Sequence, residues 1–170
     1  ATISQLSSAT WIGGNGSWSD ASNWAVTGAL GQTGVLPDGG NVGVAVLPTG
    51  FAGVVTTSAN HAHAGKIQIN GGTLSVSSDA QLGAVPASAV ADAITLNGGT
   101  LQATDSFTLN ANRGVTLNGS FGGTFNQNAN TTLTHAGVID GTGKLIKAGQ
   151  GTLVLSGTNT FSGVTSINNG

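Results

Sequence analysis

At 170 residues with 38% hydrophobic content, the chain is long enough for one domain with its own core and too apolar to be disordered. Only 6% of its residues are charged, against roughly a quarter in typical domains, and 29 Gly with no Cys, Met or Tyr exclude a solvated helical bundle. A formal charge of −2 with four basic residues (Lys66, Arg113, Lys144, Lys147) excludes a phosphate-tracking nucleic-acid protein.

The acids are six Asp, and Glu is absent. The outer surface must therefore be made of Thr, Ser, Asn and Gly, residues that suit strands and tight turns. No apolar run approaches the roughly 18 residues needed to cross a bilayer. No basic–apolar–small leader opens the chain at Ala1, so a signal peptide is expected to have been removed or to lie outside these residues.

In chain order, residues 1–50 read as a Trp/Gly-rich amino-terminal cap with the first strands. Ala1–Thr10 is a Ser/Thr-rich extended segment with no obvious partner. Trp11, Trp18 and Trp24 follow, separated by Gly, Asn and Ser, and predict tight turns around a compact apolar plug. Pro37-Asp38-Gly39-Gly40 is a strong turn signal, and Val42-Gly43-Val44-Ala45-Val46 is a short alternating strand ended by Pro48.

From residue 51 to 170 the sequence repeats. Ile69-Asn70-Gly71-Gly72-Thr73-Leu74 returns 27 residues later as Leu96-Asn97-Gly98-Gly99-Thr100-Leu101. Leu117-Asn118-Gly119-Ser120, Ile139-Asp140-Gly141-Thr142-Gly143 and Ile167-Asn168-Asn169-Gly170 continue it at intervals of 21, 22 and 28. Each unit is an apolar–x–apolar strand, a turn, and another strand. Asn-Gly is also a strong hairpin signal, so an antiparallel meander is the competing architecture. The steady repeat length, with aliphatic and small polar residues alternating throughout, favours an all-β solenoid of parallel coils. Stacking also accounts for the missing charge. Equivalent positions of successive coils sit about 4.8 Å apart, where like charges repel and Thr, Ser and Asn form favourable rows.

The stretch from Gly141 to Gly170 resembles the passenger-associated repeat of autotransporters. Gly143, Leu145, Lys147, Gly149, Gly151, Thr152, Leu153, Leu155, Ser156, Gly157, Asn159, Thr160, Phe161, Ser162, Gly163 and Thr165 fall in register with that pattern. The Trp-rich opening is similar to the start of such passengers. The resemblance implies a right-handed parallel β-helix, export to the bacterial cell surface on the extracellular face of the outer membrane, and a role in adhesion, aggregation or extracellular structure. It implies no catalytic residues. The absence of Cys accords with secretion. Within the repeat, Leu145, Leu153, Leu155 and Phe161 are the expected inward side chains. Gly149, Gly151, Gly157 and Gly163 are expected at corners with positive φ, and Asn159 is expected to cap a turn by bonding neighbouring backbone.

Candidate chemistry is sparse. His61-Ala62-His63 puts two imidazoles on one side of an extended segment, but a metal site would need a third ligand such as His135 or an Asp. The pair is expected to be solvent-exposed in a loop. Gly13-Gly14-Asn15-Gly16-Ser17-Trp18-Ser19-Asp20 occurs once, whereas calcium-binding glycine repeats need adjacent copies. Asp140-Gly141-Thr142-Gly143-Lys144 lacks the first Gly and the trailing Ser/Thr of a phosphate loop. Asp92 and Asp105 lie nearest to Arg113 in sequence, without an aromatic platform for polysaccharide chemistry.

The sequence thus points to a non-enzymatic extracellular scaffold or adhesive surface without a cofactor or metal. Its expected partners are other copies of itself or cell-surface and matrix components, with carbohydrate as a further candidate. Assembly into a filament or sheath is the alternative, motivated by both ends: Gly170 falls just after an expected strand, and Ala1–Thr10 has no obvious partner. A carbohydrate-binding module would require the three Trp to be exposed.

Overall fold

A computed structural model describes residues 5–26 and 32–170. Among the described residues the chain is all-β apart from two short 3-10 turns, Ala21–Asn23 and Asp79–Leu82, and coils upon itself in about five turns. Three sheets run along the coil. The first contains β1 (Leu6–Trp11), β3 (Trp24–Val26), β4 (Val42–Leu47), β6 (Lys66–Ile69), β8 (Val90–Leu96), β11 (Arg113–Leu117) and β14 (Ile139–Gly141). The second contains β2 (Gly16–Ser17), β5 (Val54–Thr56), β7 (Thr73–Val76), β9 (Thr100–Ala103), β12 (Gly123–Gln127), β15 (Leu145–Ala148) and β17 (Thr165–Ile167). The third is β10 (Phe107–Leu109), β13 (Thr132–His135) and β16 (Thr152–Leu155).

Successive coils pair in parallel, so the antiparallel meander is excluded for the repeat. The one antiparallel strand pair among the described strands, β1 with β3, belongs to the amino-terminal cap. Leu6–Thr10 of the segment expected to lack a partner are thus engaged, because β1 also pairs in parallel with β4, while Ala1–Ser4 lie outside the described residues. Since β1 and β4 lie in the first sheet, the cap and the coils share one core across residue 50.

Register explains the period-two pattern. In the first sheet Ala45, Ile67, Ile94, Val115 and Ile139 stack in line, as do Leu47, Ile69, Leu96 and Leu117. In the second, Val55, Leu74, Leu101 and Phe125 stack in line. All are buried. A row of like aliphatic residues keeps each methyl group in contact with the coil above and below. Between them lie outward rows: Gln68, Thr95 and Thr116 in the first sheet, and Thr73, Thr100 and Thr124 in the second.

Lys66, Asp92 and Asp140 on this surface are each met by a side chain of a neighbouring coil. Lys66 Nζ lies 2.6 Å from Asp92, and Thr116 donates to Asp140 at 2.6 Å. Low charge and close stacking are two aspects of one architecture.

The cap is closed by its tryptophans. Trp11, Trp18 and Trp24 are buried, with Trp24 edge-on to both others at centroid distances of 5.2 and 4.6 Å. Each indole N–H reaches a backbone carbonyl, of Gly14, Pro37 and Trp18 respectively, so no buried donor is left unmade.

Candidate functional site

The repeat residues occupy structural positions. Leu145 is buried, while Leu153, Leu155 and Phe161 are partly buried and pack on the core. Gly149 has φ of 75°, in the left-handed region. Gly151, Gly157 and Gly163 do not have positive φ. Their requirement is steric. A Cβ on Gly151 would strike the carbonyls of Asn128 and Thr131, on Gly157 that of Gly137, and on Gly163 that of Gly143, all on the preceding coil. Asn159 likewise acts between coils, since its Oδ1 accepts from Ile139 N at 2.9 Å rather than capping its own turn. Lys147 takes an inward position in line with Phe125 and Ile167, and its ammonium donates to the carbonyls of Ala148, Gly149 and Asn169. Burial pulls its pKa below the usual lysine value.

The histidines differ from expectation. His63 is fully buried and His61 is partly buried, stacked on Trp18 at 4.7 Å with the planes 8° apart. His63 Nε2 lies 3.2 Å from the Lys66 carbonyl. The ring nitrogens of His61 make no well-directed hydrogen bond, although the Gln81 backbone is near enough to favour its charged form. Burial pushes both pKa values down, more than Asp38 and neighbouring carbonyls raise them. His135 sits elsewhere, in the third sheet between Leu109 and Leu155, also buried, and desolvation lowers its pKa. Among the described residues no three His, Cys, Asp or Glu side chains are grouped to hold a metal. His61 lays its flat ring on Trp18 as an apolar side chain would, while His63 and His135 are enclosed in the core.

Asp92, Asp105 and Arg113 do not form a catalytic cluster. Asp92 pairs with Lys66, and Arg113 Nε donates to Asp79 at 2.9 Å. The remaining guanidinium nitrogens reach the carbonyls of Leu82 and Gly83, so Arg113 pins the Asp79–Leu82 turn to the coil.

A concave feature does occur on the outside, at the corner between the first and second sheets. The corner runs from Leu47 to Val54 and from Leu117 to Thr124 in two coils, but only from Ile69 to Thr73 and from Leu96 to Thr100 in the two between. The middle corners are three residues shorter, so they form the floor of a notch between two taller walls. The notch encloses about 390 Å³. Phe51 stands at one end and Phe121 at the other, at equivalent places in the two long corners. The floor is Gly71, Gly72 and Gly98, and a Cβ on Gly72 would collide with the Phe51 ring. Asn70 and Asn97 line the floor as stacked equivalents, and neither side-chain amide has a partner among the described residues. No charged side chain lines the notch. Sequence reading found both Asn-Gly-Gly corners but not the notch, which depends on the length difference from corners that do not share their motif.

Comparison with known proteins agrees with this architecture. The passenger-associated-transport-repeat family matches residues 52–76 and 145–170. The sequence reading placed Ile69–Leu74 in the repeat but saw the family resemblance only in the second stretch. The chain is 39% identical over 129 residues to the adhesin BmaC autotransporter of Brucella suis biovar 1 (strain 1330), an alignment covering 69% of this chain and 4% of the relative. No solved structure matches it significantly. Both matched stretches carry Gly-Thr-Leu-x-(Val/Leu), as Gly72–Val76 and Gly151–Leu155, and in each the glycine lets one coil settle on the last while the following strand adds a parallel rung. The chain is a segment of an autotransporter passenger.

Proposed function

We propose that this segment is a non-catalytic adhesive scaffold, displayed on the extracellular face of the outer membrane and contributing to attachment. The observation that carries the reading is the likeness to an adhesin passenger, combined with a rigid core whose outward rows are almost uncharged. Such rows present a long ladder of hydroxyls and amides at a fixed spacing, which suits contact with large neutral surfaces. Catalysis has little to work with: the described carboxylates are engaged with Lys66, Arg113, Thr116 or backbone donors, apart from the exposed Asp105.

The test is attachment by bacteria displaying the parent protein with residues 42–167 present or removed, at matched surface levels. The proposal expects a several-fold loss of attachment on removal. Equal attachment by both strains would overturn it.

A further inference from the structure

We propose that the corner notch between Phe51 and Phe121 is a binding site for a neutral, unbranched glycan; the inference rests on the adhesive reading above and assigns it a ligand class. Four features of the notch bear on its occupant. Its lining carries no charge, so a phosphorylated, sulfated or carboxylated ligand gains nothing there. Its polar groups are the free amides of Asn70 and Asn97, with Thr49 and Ser120 at the walls. Amides and hydroxyls both donate and accept, which matches sugar hydroxyls that do the same.

Two aromatic rings bracket these amides, and Phe121 is 69% exposed. An aromatic face is the ordinary partner for the apolar side of a pyranose ring. The geometry also repeats. Asn70 and Asn97 sit on adjacent coils about 4.8 Å apart, close to the advance of one sugar unit in an extended glycan. The two Phe lie three coil spacings apart, about 14 Å, leaving room for a short run of rings between them. A lipid would favour a deeper, fully apolar cavity. An extended peptide would seek an open strand edge, whereas the notch is lined by corner residues whose neighbouring strands are paired on both sides.

The buried tryptophans cannot serve this purpose, so the carbohydrate reading moves from the cap to the corner.

The experiment applies residues 1–170 to a printed panel of neutral linear oligosaccharides of two to six hexose or N-acetylhexosamine units. The panel includes their sialylated and sulfated counterparts and one disordered peptide, and hits are confirmed by titration. The expected result is binding to at least one neutral series, with no gain from added charge. Phe121→Ala and the pair Asn70→Ala/Asn97→Ala should each weaken it at least tenfold while the circular dichroism spectrum stays unchanged. Because Phe121 is exposed, its variant keeps the test interpretable even if the Asn pair fails to fold. No binding to any neutral glycan, binding indifferent to Phe121→Ala, or Phe121-dependent capture of the peptide instead would overturn the proposal. Attachment by displaying cells that is lost on removing residues 42–167 but retained in Phe121→Ala would also overturn it, while leaving the adhesive scaffold standing.

Discussion

Buried polar residues, rather than the aliphatic ladders, make the sharpest demands at the scale of single side chains. Gln127 is fully buried in line with Ala103, and neither amide atom has a partner. Leaving such a group unpaired costs about 1–3 kcal/mol. Gln127→Leu is therefore expected to raise the thermal midpoint by several degrees, measured by circular dichroism; a fall would mean that the amide is satisfied. Arg113 presents the opposite case, being 4% exposed at its side chain and held by Asp79. Asp79→Ala strands a buried guanidinium and should cost about 3–5 kcal/mol in urea unfolding. Removing Asp92 from the half-exposed Lys66 pair should cost no more than about 1 kcal/mol.

The histidines set a pH dependence. His61 and His63 face Trp18, Asp38 and Arg113, and His135 lies toward Asp79; burial holds all three below the ordinary value of 6.5. A depressed folded pKa means that the unfolded chain binds protons first as pH falls. The contribution to stability is thus present above about pH 6.5 and lost as pH drops through that value toward the folded pKa. Thermal scans should show the midpoint falling below pH 6.5, with a shallower fall in His63→Gln. A midpoint that is flat from pH 7 to 5 would contradict the burial of the imidazoles.

Elements show what sequence conveys and what it conceals. The strands were legible because Ile67/Ile69, Ile94/Leu96 and Val115/Leu117 alternate with polar residues, and the parallel pairing places those alternations in register. The glycines were only half legible. Positive φ at Gly149 follows from turn chemistry, but Gly157 is needed because it touches the preceding coil, and a contact between coils has no local signature. Asn159 was missed for the same reason, since its acceptor role serves Ile139 one coil away. His61 and His63 read as exposed because nothing nearby in sequence reveals Trp18, which arrives from the cap. The notch lay between these extremes: its Asn-Gly-Gly floor was visible, but its walls became equivalent only once Leu47 and Leu117 were aligned across three coils. Gly157→Ala should destabilise by about 1–3 kcal/mol, because the methyl group meets backbone carbonyls that cannot rotate away. An unchanged urea midpoint in that variant would refute the close approach.

Over the whole molecule, each coil touches chiefly its neighbours, and stability is a sum of coil and interface terms. Phe125 fills the centre of one coil and is fully buried, so Phe125→Ala should cost about 3–5 kcal/mol and loosen the coils on either side first, as hydrogen exchange would report. A rigid, nearly uncharged ladder with the corner notch on one edge is what such stacking delivers to the cell surface. The most direct check of the adhesive scaffold uses beads coated with residues 1–170, in wild-type form or as Phe125→Asp to break the core, presented to host cells and to extracellular matrix. The account predicts saturable attachment by the wild-type beads and its loss with the core-broken variant. Wild-type beads that attach no better than uncoated ones, or variant beads that attach equally well, would contradict it.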